Sequence, residues 1–301
     1  MKPRSREADA KAIAHHYDVS NEFYELFLDP LMVYTCAYYR DPDGKLEQAQ
    51  QDKLDLVCRK LDLQPGETLL DIGCGWGSLS IWAAQNYGVR AHGVTLSQAQ
   101  ASYASARIKR EGLEDRCRVE CLDYRDLPAD NRYDKIAAIG LIEHVGIPNY
   151  PAFFAGVRDR LKDGGLYLNH GIVHEFHWKF TSQTEFLYRH VFPNGDIAVL
   201  SETLTEIERA GLEIMDVDGL RLHYARTCRH WVERLRERAD EARAIAGERI
   251  YRTWLLYLTC SAVSFADGWI GLYQVLSRKH RDPAVAPAPR TREYMYERET
   301  R

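Results

Sequence analysis

The segment Asp71-Ile-Gly-Cys-Gly-Trp-Gly77 constrains the fold more than any other part of the chain. It follows the apolar run TLL and precedes SLSIWAAQNYG, a pattern typical of a helix that ends at a glycine, here Gly88. Only glycine allows the chain to turn this tightly and to bring its backbone close to a ligand. The segment therefore predicts a strand, a glycine turn and a helix whose amino end faces a crevice at the end of the strand.

The spacing of the glycines distinguishes between nucleotide ligands. A dinucleotide fingerprint is GxGxxG, whereas this turn is GxGxG with Asp71 two residues before the first glycine. That form suits a nucleoside that carries a methionine sulfonium, with the Asp71 carboxylate near the cationic end of the ligand. A glycine turn that serves only the fold is the alternative, because glycine motifs are weak evidence when isolated.

Strands and helices alternate after this motif. Further strands are predicted in VRAHGVTLS, CRVECLDYRDL, YDKIAAIGLIEHVG and GLYLNHGIV, with helices between them. The alternation predicts an α/β chain with a doubly wound parallel sheet. The predicted organisation is a helical segment over residues 1–60 that covers the site, a main domain over 61–280 with an inserted cap at about 174–200, and a disordered tail over 281–301.

Composition argues against several classes of protein. A net charge of −4 gives no reason to expect nucleic acid as a partner, because proteins that bind it usually carry a basic face. The seven cysteines include no CxxC pair, which indicates reduced thiols and a cytoplasmic location. Neither a signal-peptide pattern nor a membrane-spanning run is found. No metal site is predicted, because His170, His174, His177 and Glu175 do not share one face.

The end of the second predicted strand departs from the general nucleotide-binding scheme. Many such proteins place Asp or Glu there to hold the ribose hydroxyls. Here the segment is Val94-Thr95-Leu96-Ser97, with Gln100 soon after. These neutral side chains can still hydrogen-bond a hydroxyl. The departure points to a particular subgroup of nucleotide-binding α/β proteins.

Nine segments fall in the order and approximate spacing of one family. They cover about residues 15–280 and are HYDVSNEFYELFLDPLMVYTCAYY, LLDIGCGWGSLSIWAA, VTLSQAQ, DYRDL, IEHVGIPNYPAFF, LNHGI, VFPNG, GLRLHYARTCRHW and YLTCSAVSFADGWIGLYQV. The chain thereby resembles the cyclopropane-fatty-acid synthase family, which includes the mycolic acid cyclopropane synthases. The resemblance implies a seven-stranded, Rossmann-like class I methyltransferase fold that uses S-adenosylmethionine. The longer phospholipid enzymes carry a further N-terminal lipid-binding domain, which this chain is expected to lack.

The resemblance also implies two sets of site residues by position. Those implied to contact the cofactor are Tyr34, Thr35, Asp71, Gly73, Gly75, Gly77, Thr95, Leu96, Ser97, Gln100, Tyr124 and Arg125. Those implied to surround a bicarbonate ion beside the transferred methyl are Cys36, Glu143, His170, Ile172 and Tyr257. Each has an ordinary structural explanation when taken singly: a helix cap, a buried strand histidine, a core tyrosine or a small buried thiol.

Two positions differ from the usual family pattern. The C-terminal helix normally has a cysteine where this chain has Ser261, and Cys260 stands one residue earlier. A helix turns by about 100° per residue, so Cys260 is expected to face another direction. Ile142 stands where phenylalanine is common, which is expected to reshape an acyl pocket.

The function implied by the resemblance is transfer of a methylene group to the cis double bond of an unsaturated acyl lipid, which forms a cyclopropane ring. The expected substrate is a phospholipid, which the protein would meet at the membrane surface. Three alternatives stay open: a methyl- or methylene-branching lipid methyltransferase, a small-molecule N- or C-methyltransferase, and a lipid- or cofactor-binding protein without activity. An intact glycine turn and Glu143 argue against the last of these.

Overall fold

Seven strands form one mixed sheet in the computed structural model, which describes residues 19–192, 195–279 and 291–296. The strands are β1 (Thr68–Ile72), β2 (Arg90–Thr95), β3 (Cys117–Cys121), β4 (Tyr133–Ile139), β5 (Leu161–His174), β6 (Leu212–Gly219) and β7 (Ile270–Lys279). Their order is β3-β2-β1-β4-β5-β7-β6. Strand β7 is antiparallel to both of its neighbours, and the other pairs are parallel. The predicted α/β fold is confirmed, with β7 as its departure from a wholly parallel sheet.

Helices cover both faces of the sheet. They are α1 (Asn21–Tyr24), α2 (Leu46–Lys60), α3 (Ser78–Tyr87), α4 (Gln98–Arg110), α5 (Ile142–Val145), α6 (Tyr150–Arg160), α7 (Ser182–His190), α8 (Leu200–Arg209), α9 (Arg221–Glu237), α10 (Ala239–Asp267) and α11 (Glu293–Tyr296). Helix α3 ends where predicted, at Gly88, which adopts the left-handed conformation that closes a helix. Helix α10 is interrupted at Gly247, whose backbone is not helical.

Strand β1 illustrates why the sheet could be predicted from the sequence. Its Leu69 packs in the cluster that contains Leu54 and Val57 of α2. Its Leu70 faces the other way and packs in the cluster that contains Phe154 of α6. Because both faces are covered, the strand is a continuous apolar run rather than an alternating one.

The segment before β1 is less helical than predicted. Only α1 and α2 are helical within residues 19–60, and the chain between them is turned and extended. The Asp29 carboxylate accepts hydrogen bonds from the backbone N–H groups of Leu31, at 2.9 Å, and Val33, at 3.0 Å. Such local bonds compete with a helix. Residues 1–18 of the predicted segment, with the aromatic Tyr17, lie outside the described residues.

The segment still covers one end of the molecule with aromatic side chains. Phe23 and Phe27 pack on Trp254 of α10, with ring centroids 5.7 and 5.9 Å away. Phe27 also packs on Trp231 of α9, at 6.3 Å. This aromatic cluster joins the N-terminal segment to α9 and α10, so all three are held over the carboxyl ends of the strands.

Helix α7 lies in the segment between β5 and α8, at the position of the predicted cap. It rests on α10, where the Gln183 side-chain amide donates to the Ser264 hydroxyl at 3.1 Å. No residue of α7 is fully buried. The helix therefore packs on the elements below it through half-buried side chains, among them Phe186 and Leu187.

The predicted disordered tail is wrong for residues 291–296. Met295 of α11 is 3 % exposed and packs with apolar side chains of α2 and β1. The Arg292 guanidinium pairs with the Asp216 carboxylate at 2.7 Å. The Pro- and Ala-rich run before this stretch obscured a short apolar motif, YMY, that can be buried. The rest of the predicted tail lies outside the described residues.

We expect the Met295→Ala substitution to lower the free energy of unfolding by about 2 kcal/mol, because it removes a buried side chain and leaves a cavity. Urea denaturation followed by circular dichroism would measure the change. The matched control is Leu256→Ala on α10, whose side chain is 48 % exposed. That variant should differ from the parent by no more than about 0.5 kcal/mol. Equal stabilities for the two variants would contradict the packing of α11.

Candidate active site

A groove runs along the carboxyl ends of β1, β2 and β4, where the glycine turn leads into α3. Two adjoining cavities form it, and Gly73, Gly75, Gln100 and Gly140 line both. Most of the residues predicted to contact a cofactor line this groove: Tyr34, Thr35, Asp71, Gly73, Gly75, Thr95, Leu96, Gln100, Tyr124 and Arg125. Open α/β sheets bind their ligands at this edge.

The other two predicted residues do not line the groove. A Cβ at Gly77 would stand 3.0 Å from the Cβ of Ala104, so glycine there allows α3 to pack closely on α4. The Ser97 hydroxyl accepts a hydrogen bond from the Gln100 N–H at 3.3 Å and caps the start of α4. Both residues shape the site through the helices rather than by facing it.

Gly75 supplies the close backbone approach that the sequence predicts. Its φ is +55°, and no atom lies within 4 Å of the point where a Cβ would stand. Because Gly75 lines both cavities of the groove, that Cβ would take up space available to a ligand. Glycine is required here for its conformation and for the open space beside it.

Asp71 ends β1 at the floor of the groove. Its side chain accepts a hydrogen bond from the Ser80 hydroxyl at 2.9 Å and is 2 % exposed. Burial raises the pKa of this carboxyl to about 6. At neutral pH the group is mainly an anion, and a cationic ligand beside it would stabilise that form further.

The neutral end of β2 forms a small polar network. The Thr95 hydroxyl donates to the Gln100 side-chain oxygen at 2.8 Å and accepts from the Ser97 N–H at 3.2 Å. Across the groove, Arg125 forms an ion pair with Asp123 at 2.6 Å, which fixes the guanidinium. These groups offer hydrogen bonds to a sugar or a base without the usual acidic residue.

A second cavity, of about 420 Å³, adjoins the groove where Tyr34, Thr35 and Gly140 line both. Most of the surface around it is apolar and comes from the cap segment, α9, α10 and the end of β5. Glu143, His170, Ile172 and Tyr257, which the sequence places far apart, all line it. The fold therefore brings four of the five predicted catalytic residues to one place.

Glu143 is the acidic group of this cavity. One carboxylate oxygen accepts the Ile172 N–H at 2.6 Å, and the other is buried with no hydrogen-bond partner among the described residues. Burial raises the pKa of the carboxyl to about 7, against the opposing effect of the Ile172 bond. Glu143 can therefore gain or lose a proton near neutral pH.

His170 lies beside it at the end of β5. Its Nδ1 is 3.1 Å from the side-chain amide nitrogen of Gln274, and with that amide as donor the ring proton lies on Nε2. Nε2 has no hydrogen-bond partner within the described ranges. Burial lowers the pKa of the imidazole well below its ordinary value, so the ring is neutral. It presents a neutral N–H donor.

The two remaining predicted residues differ in their placement. The Tyr257 hydroxyl accepts a hydrogen bond from the Tyr34 hydroxyl at 3.1 Å, at the junction of the groove and the cavity. Cys36 does not line the cavity. Its thiol is fully buried and lies 3.1 Å from the Ala37 carbonyl oxygen, and burial raises its pKa well above the ordinary value. Cys36 is thus an unreactive thiol beneath the site.

Ser261 lines the cavity and Cys260 does not, as the expected rotation along the helix predicts.

Three residues that line the site were missed in the sequence: Lys53, Gly140 and His144. Lys53 belongs to an amphipathic helix, in which a lysine normally faces solvent. Gly140 directly follows an apolar strand, which is the signal that the sequence offered, and its φ of +68° shows why glycine stands there.

Large apolar side chains are exposed around the second cavity. Trp269 and Val263 line it and are 54 % and 51 % exposed. Phe176 and Phe180, which are 75 % and 59 % exposed, flank Trp178, another residue of the lining. Exposed apolar side chains therefore lie in and beside the lining of the cavity. None of the described helices is both long and apolar enough to cross a bilayer.

The strand order, the antiparallel β7 and the glycine turn after β1 define an α/β methyltransferase of class I. A sequence profile described as mycolic acid cyclopropane synthetase matches residues 4–275, so the chain belongs to that family. It is an S-adenosylmethionine-dependent methyltransferase, as the family resemblance predicts. The lipid substrates given in the names of the relatives below are properties of those proteins.

Two solved structures share this fold over nearly their full length. The cyclopropane synthase MmaA2 from Mycobacterium tuberculosis has a TM-score of 0.86 and 34 % identity, and the match covers 91 % of this chain and 99 % of that one. The mycolic acid cyclopropane synthase CmaA1, complexed with SAH and CTAB, has a TM-score of 0.85 and 32 % identity, with 92 % and 99 % covered.

The following curated relatives are longer than this chain. A "Probable fatty acid methyltransferase" from Pseudomonas putida is 46 % identical over 294 residues, which are 97 % of this chain and 75 % of that protein. Sphingolipid C9-methyltransferase 1 from Gibberella zeae is 35 % identical over 91 % of this chain, and the chain spans 55 % of its length.

We expect Gly75→Ala to weaken binding of S-adenosylhomocysteine at least tenfold, because the new methyl group would take up ligand space. Isothermal titration calorimetry would measure the affinity. The matched control is Gly112→Ala, since Gly112 also has a positive φ, of +66°, and open space at its Cβ, but lies outside the groove. Equal affinities of the two variants would remove Gly75 from the cofactor site.

Proposed function

We propose that this enzyme transfers a methylene group from S-adenosylmethionine to the cis double bond of an unsaturated acyl lipid and so forms a cyclopropane ring. The observation that carries the proposal is the second cavity. It is large and mainly apolar, it adjoins the cofactor groove, and its lining includes buried polar atoms of Glu143 and His170 without partners among the described residues. An acyl chain fits the apolar walls, and proton transfer suits the polar end.

The chemistry explains why a buried base is needed. S-adenosylmethionine supplies an electrophilic methyl group: the π electrons of the alkene form the new C–C bond while the C–S bond breaks toward sulfur. The acyl chain is left as a carbocation. Loss of a proton from the new methyl carbon gives the electron pair that closes the ring. The protein must hold the reactants together, exclude water that would trap the cation, and accept that proton.

Residues of the cavity suit these tasks. The Glu143 carboxylate is ionised above about pH 7 and can receive a proton, either directly or through a bound small base. The rings of Tyr34 and Tyr257 lie at the junction with the groove, where their π faces would stabilise a nearby positive charge by about 0.5–2 kcal/mol each. Apolar walls keep water from the cation.

The donor set also fits a bicarbonate ion, which the family resemblance implies. The His170 Nε2–H and the Tyr257 hydroxyl would donate to it, and the unpartnered oxygen of Glu143 would accept from the bicarbonate hydroxyl. A bound bicarbonate would supply a weak base near the reacting carbon. Cys36, which was also expected to contact the ion, is placed behind the cavity wall and would need to act through its neighbours.

A lipid surface is the proposed source of the substrate. Trp269 lines the cavity, Phe176 and Phe180 flank the lining residue Trp178 in the sequence, and all three are exposed and would insert into the interfacial region of a bilayer. An acyl chain could then enter the cavity without crossing water. This supports a phospholipid substrate met at the membrane surface.

A methyl-branched lipid is the second candidate product. The names of the relatives from Pseudomonas putida and Gibberella zeae state fatty acid and sphingolipid methyltransferases. The same cation gives a methyl-branched alkene when a proton is lost from an adjacent chain carbon instead of from the new methyl group. A methylene branch forms when a hydride first shifts from the methylated carbon to its cationic neighbour and the methyl group then loses a proton. The position of the accepting group relative to the methyl carbon decides between these products.

We expect Glu143→Gln to lower kcat at least hundredfold while it leaves the affinity for S-adenosylhomocysteine within about twofold, because the amide cannot accept the proton. In the parent enzyme, kcat should rise with pH and level off above about pH 7, since the pKa of Glu143 is raised to about 7 and the carboxylate is the active form. This rise of kcat with pH should be absent in the Glu143→Gln variant. Glu185→Gln on the exposed face of α7 is the control and should retain the parent kcat. A parent-like rate in Glu143→Gln would exclude the proposed role.

The product itself tests the proposal. The purified enzyme would be incubated with S-adenosylmethionine, bicarbonate and vesicles of cis-unsaturated phospholipid, and the acyl methyl esters analysed by gas chromatography and mass spectrometry. A product heavier by one CH₂ unit that resists hydrogenation is the expected cyclopropane. A heavier product that takes up hydrogen would establish the branching reaction instead. Failure to methylate any acyl lipid, including a sphingolipid, would contradict both.

A further inference from the structure

Lys53 of α2 carries a buried ammonium group that the reaction described above does not use. Its side chain is 2 % exposed and lines the floor of the cofactor groove together with Asp71, Gly73 and Gly75. The ammonium donates to the Thr35 hydroxyl at 2.9 Å. Within the described ranges it has no second hydrogen bond, and no carboxylate lies within ion-pairing distance. An ammonium group has three donors, so two of them have no hydrogen-bond partner among the described residues, at a position that lines the groove.

A second buried lysine in the same helix forms ion pairs and serves as a comparison for Lys53. Lys60, two turns further along α2, is fully buried as well. Its ammonium forms ion pairs with Asp218 at 2.7 Å and Asp216 at 3.7 Å. Removal of a charge from water is costly unless a partner compensates it. Lys60 has its partners inside the chain, and Lys53 does not.

The two carboxylates that act electrostatically on Lys53 are hydrogen-bonded to other groups. Asp29 accepts two backbone N–H groups, and Asp71 accepts the Ser80 hydroxyl. Both still act on Lys53 through space, but burial dominates and lowers the pKa of the ammonium to about 8. An anionic ligand in the groove would raise that pKa again.

The methionyl end of the cofactor is a zwitterion with a carboxylate and an ammonium group. The floor of the groove presents the complementary pair, because it is lined by one buried cation, Lys53, and one buried anion, Asp71. A carboxylate needs a cationic donor and a cation needs an anionic acceptor when both are withdrawn from water.

We propose that the Lys53 ammonium binds the α-carboxylate of S-adenosylmethionine, while Asp71 faces its α-ammonium group. The inference rests on the placement of the cofactor in this groove. Lys53 thereby orients the methionyl chain, so that the sulfonium end points toward the junction of the groove with the second cavity. Thr35, which lines both spaces and accepts a hydrogen bond from Lys53, links the two.

Two ligands that differ only in the carboxylate test this assignment: S-adenosylhomocysteine and its decarboxylated form, S-adenosyl-3-thiopropylamine. We expect Lys53→Met to weaken binding of S-adenosylhomocysteine about ten- to hundredfold, measured by calorimetry, because one charge-assisted hydrogen bond is lost. Binding of the decarboxylated ligand should stay within about twofold of the parent. That second ligand also shows that the variant is folded.

A measurement on the unmodified enzyme does not depend on the variant. At pH 8, near the pKa of Lys53, binding of S-adenosylhomocysteine should take up part of a proton, because the carboxylate favours the ammonium form. Calorimetry in two buffers of different ionisation enthalpy gives this number. The decarboxylated ligand should take up less.

The outcomes separate this inference from the cofactor placement. Equal weakening of both ligands by Lys53→Met would assign Lys53 a purely structural role and overturn the proposal. Unchanged binding of both would also overturn it, and the groove would remain the cofactor site if Gly75→Ala weakened both ligands. If Gly75→Ala weakened neither, the placement of the cofactor itself would fail.

Discussion

The register of β4 between β1 and β5 is the constraint on which the site depends. Asp71 pairs with Ala137, and Ile139 pairs with His170, so the ends of three strands form one continuous edge. A slip of one residue in any pair would turn His170 or Asp71 to the opposite face of the sheet. The apolar residues that fill both faces prevent such a slip, and the packing of the core therefore determines the geometry of the chemistry.

Burial then sets the charge state of the groups along this edge. The pKa of Glu143 rises to about 7 and that of His170 falls, so near neutral pH His170 is uncharged and Glu143 is close to its titration midpoint. At the cofactor groove the buried groups have opposite signs instead, with Asp71 and Lys53 on one floor. One half of the site thus suits an apolar chain and the other half a zwitterion.

The sequence predicted the sheet well because buried parallel strands and glycine turns leave strong local signals. It could not show from local pattern that Glu143, His170 and Tyr257 share a cavity, since they belong to three separate elements. Only the resemblance to a family supplied that grouping. Lys53 was not predicted as a site residue because a lysine in an amphipathic helix normally faces water. The buried motif around Met295 was hidden for a similar reason, behind a run rich in Pro and Ala.

The weak attachment of α7 has a consequence for how a long chain reaches the reactive groups. A helix without fully buried residues, held on the core by the half-buried Phe186 and Leu187 and by the Gln183 hydrogen bond, is expected to open at a lower free energy than global unfolding. The elements beneath it keep their aromatic packing when this happens. Amide hydrogen exchange would thus be fast in the roof of the cavity and slow in its floor. Entry of a bulky molecule is then a local event that leaves the reacting groups in place.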